Sequence, residues 1–302
     1  SPAVRDGAHT LTASALDAVG RRVKATVRIV VSNHRSTSGS DATPSAEGMP
    51  AQWSDSFESG DFSAWSWWGQ GDPTYAHRDV VDSTSEGVAP HSGTHAARFE
   101  TTPDDIAAGR IHAKLYKSFG TNLDTPQSKS PANVSGTYSA WYYLPTTYHI
   151  ARHDDWVSIF QFKEQYKVAS GPAQSDPLWW VQMNNLDWAK SMAKAWGQAL
   201  PQGTRGDQPV AFVSRWGSDW KVKRNFVPVP LGRWFQVTAV VRQNDRIDLT
   251  LDGQKLDTVY ASEYHIGPFH GTDSTQWIFG VGNYSNTSSG PLYVDDVSYR
   301  AG

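Results

Sequence analysis

Residues 234–256 read WFQVTAVVRQNDRIDLTLDGQKL. Two strands are expected here, Trp234–Arg242 and Arg246–Leu251. In the second, Ile247, Leu249 and Leu251 alternate with Asp248 and Thr250, the two-residue period of a half-buried strand. Asp252-Gly253 then falls in the turn of a hairpin, where a positive φ is required and Gly supplies it without strain.

The same grammar runs outward on both sides. Short strands are expected at Ala96–Glu100, Ile111–Phe119, Gly136–Leu144, Trp156–Lys163, Leu178–Met183, Ala211–Trp216, Thr275–Tyr284 and Leu292–Tyr299, separated by Gly, Pro, Asn and Asp. Only Asp187–Ala199 looks helical, through Trp188, Met192, Ala195 and Trp196. Many short strands without a βαβ rhythm imply an all-β sandwich from residue 53 to 302. No internal repeat is visible.

The first 33 residues differ. Ala8–Leu16 and Arg22–Val31 read as two strands about the turn Asp17-Ala18-Val19-Gly20. This short β appendage resembles the last two strands of a bacterial immunoglobulin-like repeat. Residues 34–52, rich in Ser, Thr, Gly, Pro and Ala, read as a linker.

Composition narrows the function. The 302 residues include 14 Trp, 12 Tyr and 11 Phe, more flat rings than a core usually needs, and such rings stack on sugar faces. A net charge of −3 gives no global basic field, so neither nucleic acid nor an anionic membrane is an expected partner. The absence of Cys removes disulfides, thiol catalysis and Cys-bound zinc. There is no run of about 18 apolar residues to span a bilayer. A secreted, extracellular bacterial protein, processed or trimmed from a longer precursor, is the expected setting.

Several motifs resemble known families in their order along the chain. SFESGDFSAW (56–65) and LYVDDVSY (292–299) are similar to the first and last strands of concanavalin-like jelly rolls. Between them, RFE (98–100), WYYLPTTY (141–148), WVSIFQFKEQ (156–165), PLGRW (230–234) with the hairpin that follows, and WIFGVGNYSN (277–286) resemble the jelly-roll polysaccharide lyases of the heparin lyase I, glucuronan lyase and alginate lyase group. The resemblance implies a concanavalin-like jelly-roll β-sandwich acting on an acidic polysaccharide, with no organic cofactor.

It also implies roles. β-Elimination on a uronate needs the carboxylate neutralised, a base for the C5 proton and an acid for the departing oxygen. The matching positions put Gln161 and Arg98 at the carboxylate and Tyr284 as acid, and also as base. Where the alginate group carries His this chain has Lys163, so an imidazole would come from His149, with His153, His265 and His270 as further candidates. Strict alternation would put Trp156, Ser158, Phe160 and Phe162 on one face of their strand, and Val157, Ile159, Gln161 and Lys163 on the other. Substrate contacts are expected from Trp216, Trp220, Lys221, Lys223 and Arg224, a basic aromatic patch, and from Trp179 and Trp180, with Trp67 and Trp68 behind them. In many jelly rolls an opening acid and a final-strand Asp share a structural calcium; the candidates here are Glu58, Asp61, Asp295 and Asp296.

Two other readings use the same scaffold. A non-catalytic carbohydrate-binding module needs the aromatic platform but not the catalytic set. A concanavalin-like glycoside hydrolase needs two acids about 5–10 Å apart, and Glu100, Glu164 and Glu263 are isolated in the sequence.

Overall fold

In the computed structural model, residues 7–16, 22–31, 49–66, 75–82, 87–120, 130–170, 173–200, 204, 206, 208–215 and 225–302 are described. The chain divides into two units, Ser1–Pro44 and Ser45–Gly302. In the first, β1 (Gly7–Leu16) pairs antiparallel with β2 (Arg22–Val31) from Gly7↔Val31 to Leu16↔Arg22. The expected turn at 17–20 and the linker up to residue 48 lie outside the described residues.

The second unit stacks two antiparallel sheets. One contains β3 (Gln52–Asp55), β4 (His77–Asp82), β5 (His95–Glu100), β7 (Gly136–Tyr143), β12 (Trp234–Arg242), β13 (Arg246–Leu251), β14 (Gln254–Tyr260) and β16 (Leu292–Ala301). Its order is β14-β13-β12-β7-β16-β5-β4, with β3 also paired to β16. The other contains β6 (His112–Phe119), β8 (Trp156–Tyr166), β9 (Gln174–Asn184), β10 (Val210–Arg215), β11 (Val227–Pro228) and β15 (Ser274–Ser285), in the order β11-β10-β9-β8-β15-β6. The last two strands of the chain thus occupy interior places, β16 between β7 and β5 and β15 between β8 and β6. This is a jelly-roll β-sandwich.

The alternation expected in the opening stretch sets the core. Phe235, Val237, Ala239 and Val241 of β12 and Ile247, Leu249 and Leu251 of β13 are buried, while the residues between them are partly exposed. They meet an aromatic layer from the other sheet in one continuous cluster that includes Phe160, Phe162, Trp179, Trp277 and Phe279. Full burial of each ring contributes about 1.5–3 kcal/mol. Two polar ring atoms of this cluster find partners across the layer. Tyr142 OH donates to the Ile159 carbonyl at 2.8 Å, and Trp277 Nε1 to Tyr138 OH at 3.1 Å.

Two helices interrupt the strands. α1 (Pro103–Ala107) was not expected, although a capping box marks it: the Thr102 side chain accepts from Asp105 N, and the Asp105 carboxylate accepts from Thr102 N. α2 (Leu186–Trp196) occupies the expected helical stretch, capped by the Asn185 side chain and ended by Gly197 at φ 64°.

Candidate functional site

The outer face of the six-stranded sheet carries polar side chains that are nonetheless buried. In β6, Ala113 and Leu115 point into the core, so His112, Lys114 and Tyr116 point outward. Across the sheet, Tyr116 pairs with Gly280, Gly280 with Gln161, Gln161 with Trp180, and Trp180 with Ser214. One register step along, Lys114 pairs with Gly282, and a further step pairs His112 with Tyr284. Lys114 is fully buried and Gln161 is 5% exposed.

Two glycines allow these side chains to meet. β15 lies between β6 and β8, and a Cβ at Gly280 would come within 2.7 Å of the Tyr116 ring. With only hydrogen there, the Lys114 amine from β6 reaches over β15 and donates to Gln161 Oε1 at 2.8 Å. Tyr116 OH donates to the same oxygen at 3.4 Å. The amine also lies 4.7 Å from the Tyr284 ring centre, a cation–π distance. Tyr284 is stacked by His112 (4.4 Å, 7° between planes) and flanked edge-on by Trp156 at 4.9 Å. Lys163 lies 5.2 Å from the Tyr116 ring centre.

A second polar chain continues on β9. Trp180 Nε1 and Ser214 Oγ both donate to Gln182 Oε1 at 3.1 Å, Gln182 Nε2 donates to Asn184 Oδ1 at 2.8 Å, and Asn184 Nδ2 donates to the Asp155 carbonyl at 2.9 Å. A network satisfied in this way fixes side-chain directions, because each donor would be costly to leave unpaired.

Burial sets the protonation of this face. It holds the Lys114 amine well below the usual lysine range, and the nearby charge of Lys163 pushes the same way. Lys163 is also lowered by burial, with Asp176 pulling it back. Burial raises Tyr116 and Tyr284 above the ordinary phenol value, so both are protonated at neutral pH.

The structure brings four expected residues to this face: Gln161, Lys163, Trp180 and Tyr284. Strict alternation along β8 does not hold, and this is a correction. The pairing shifts register between Ser158 and Phe160, so Val157, Ile159, Phe160 and Phe162 are in the core while Ser158 is opposite Tyr284 and Trp156 touches it. Arg98 also requires correction. It is on β5 in the other sheet, between core residues Ala97 and Phe99, and its guanidinium is paired with Glu100, with Asp79 at 3.9 Å. The sandwich core separates it from Gln161. Trp179 is buried in the core, 3.9 Å from the Phe162 ring centre, and has no face to offer a sugar. His149 is exposed in a loop, with Nδ1 3.2 Å from the Thr147 carbonyl. Trp67, Trp68, Trp216, Trp220, Lys221, Lys223 and Arg224 lie outside the described residues.

His112, Lys114 and Tyr116 were not expected. The signal was present in HAKLYK (112–117), where every second residue up to Tyr116 is polar or phenolic on a strand otherwise filled by Ala and Leu.

The four acids considered for calcium do not form one site. Glu58 Oε1 accepts from the backbones of Thr94 and His95, both at 2.8 Å, and its Oε2 accepts from Thr94 Oγ1. Asp295 accepts from Ser92 N, and Asp296 meets His91 Nδ1 at 2.6 Å and Ser92 Oγ at 2.8 Å. These three acids grip one loop, residues 91–95. Asp61 instead accepts from Ser59 and Ser63. The carboxylate oxygens face N–H and O–H donors, and among the described residues no group of three or more His, Asp or Glu stands ready to share a cation. Burial pushes the Asp295 carboxyl up to about 6.

No protein family and no curated protein matches the chain in sequence. Among solved structures it is similar to "Cellulose induced protein, Cip1", with TM-score 0.40 and 14% identity over 83% of this chain and 97% of that one. It is also similar to a Crh5 transglycosylase in complex with NAG (TM-score 0.41, 11% identity, 85% and 86% covered). A third is the CBM22-2 xylan-binding domain of Paenibacillus barcinonensis Xyn10C (TM-score 0.36, 10% identity, 83% and 99% covered). No helix among the described residues is long and apolar enough to cross a membrane.

Proposed function

We propose that the outer face of the six-stranded sheet binds a polysaccharide and that the chain is an extracellular lyase cleaving a uronate-containing polymer by β-elimination. The observation that carries this reading is the meeting of Lys114, Gln161, Tyr284 and His112 over the glycines of β15.

Each has a chemical task. The Gln161 amide and the lysine amines stabilise the carboxylate and the negative charge that develops when C5 loses its proton. His112, stacked on Tyr284, takes that proton. The pair left on C5 forms the C4=C5 double bond as the C4–O bond breaks, the C4–O pair leaves with the oxygen, and the protonated Tyr284 phenol gives its proton to that oxygen. Burial suits Tyr284 to this donor role because it keeps the phenol protonated. Trp156 and Trp180, partly exposed on the same face, give flat surfaces for sugar rings.

The carbohydrate-binding module is the second reading, favoured by the Trp180–Gln182–Asn184 chain, which provides a polar platform without a proton-transfer group. A concanavalin-like glycoside hydrolase is the third reading, and it would need two acids about 5–10 Å apart.

The test is ultraviolet absorbance of the unsaturated uronate while the chain is incubated with a panel of acidic polysaccharides. Product should form with at least one polymer and disappear in Tyr284→Phe and Gln161→Ala. A flat trace with binding retained would leave the module.

A further inference from the structure

We propose that Tyr75, laid along the outer edge of β6, is a positioning residue that holds the His112 imidazole flat on the Tyr284 ring. This rests on reading His112 as the base, and adds the side chain that aims it.

The physical case starts at the sheet edge. Among the described strands β6 ends the six-stranded sheet, so the sheet itself supplies His112 with a neighbour on one side, Tyr284 of β15. The other side is supplied by a segment that belongs to the opposite sheet. Just before β4, Tyr75 forms a parallel bridge with His112, and Ala76 N donates to the His112 carbonyl at 2.8 Å. Bridged residues put their side chains on the same face, so Tyr75 stands beside His112 on the outer face. Its ring centre is 5.6 Å from that of the imidazole, with 31° between planes, and Tyr284 lies at 4.4 Å and 7° on the far side. The imidazole is thus held between two phenol rings.

Tyr75 is itself fixed. It is 9% exposed, and the Arg78 guanidinium lies 4.4 Å over its ring, a cation–π distance. From His77 onward the same segment is β4, paired with β5 from His77↔Glu100. His77 Nδ1 is 2.8 Å from the Asp105 carboxylate, which also accepts from Arg110 Nε at 2.7 Å. The segment is therefore anchored in one sheet and presses its ring on the edge of the other. The anchor matters because the outer torsion of a His side chain is broad and soft. A base must hold its nitrogen to within about 0.5 Å and about 10–20° of the productive line. A flat ring on each side limits the turn. Leu in place of Tyr75 would keep apolar bulk there and lose the flat face.

The experiment compares Tyr75→Leu and Tyr75→Phe with the wild type in the full chain, by two readouts. The first is steady-state elimination of the polymer that the wild type cleaves. Tyr75→Leu should lower kcat about tenfold or more with KM within about twofold, because aim is lost while binding is kept. Tyr75→Phe keeps the ring and should stay within about threefold of the wild type. The second readout needs no substrate. In proton spectra of histidine-labelled protein, with His112→Gln identifying the signal, Tyr284 should shift the His112 ring protons upfield. That shift should persist in Tyr75→Phe and move toward the free-histidine position in Tyr75→Leu. The proposal is overturned if Tyr75→Leu keeps kcat, if Tyr75→Phe loses as much as Tyr75→Leu, or if the His112 signal is the same in all three. Should Tyr75→Leu not fold, Tyr75→Met takes its place, a pliant side chain without a flat face. A wild type that forms no unsaturated product from any acidic polymer sinks the lyase reading instead, and the ring signals alone then decide whether Tyr75 holds His112.

Discussion

The two outer faces of the sandwich treat positive charge in opposite ways. On the eight-stranded sheet, Arg242 and Arg246 meet Asp248 at 2.5 and 3.2 Å, Arg233 meets Asp252 at 2.6 Å, and Arg98 meets Glu100. Each of these four arginines has its acid, and most of these pairs are wet. On the six-stranded sheet, Lys114 and Lys163 are drier, and among the described residues neither forms a salt bridge, Asp176 acting on Lys163 without bridging it. A face whose charges are balanced internally asks nothing of a ligand. A face with a buried imbalance leaves charge for an anionic ligand to complete, which is what the proposed function asks of it.

The largest expected difference between the faces is catalytic. If the proposed elimination holds, Tyr284→Phe should cost about 10²–10³-fold in rate, the usual worth of a proton donor. Arg98→Met, on the other sheet, should stay within about twofold. If Arg98→Met proves as damaging as Tyr284→Phe, the functional face has been misplaced.

Next comes the floor between the two lysine strands. Gly280→Ala should destabilise by about 1–3 kcal/mol, because the new Cβ must displace the Tyr116 ring. Urea unfolding checks this, and an unchanged midpoint would mean that Tyr116 moves aside freely. A smaller effect of opposite sign is expected at the buried amine. Lys114→Met should stabilise the chain by about 1 kcal/mol, since an apolar side chain of similar length replaces a charge without a counterion. Thermal unfolding at neutral pH would show it as a raised Tm; a lowered Tm would mean that the Gln161 bond outweighs the burial cost. Least of all should Arg242→Ala matter. Its exposed pair is worth under about 1 kcal/mol and fades with salt, so melts at low and high ionic strength should converge.

The sequence already contained the sandwich, since Ile247, Leu249 and Leu251 announce their own period and their burial follows from it. Side-chain direction on β8 was harder to read. The step between Ser158 and Phe160 is a property of pairing with β9, and no apolar pattern within WVSIFQFK marks where it falls. Arg98 illustrates a different gap. A motif says which strand a residue occupies, whereas the sheet that strand joins depends on topology, and β5 went beside β16 and β4. Lys114 and Tyr116 were within reach, for the alternation of HAKLYK is plain. What could not be read was that the glycines of β15 would let Lys114 touch Gln161 across an intervening strand.

The interior places of β15 and β16 have a consequence for how the protein is made. Until β15 and β16 have been made, β7 and β5 lack their shared neighbour, and so do β8 and β6. A nascent chain therefore carries four raw strand edges up to that point. Neither sheet can close before these two strands emerge, and folding waits for them. Tyr284 arrives with the strand that closes its sheet, so a chain cut short before β15 loses its phenol and its fold in one stroke.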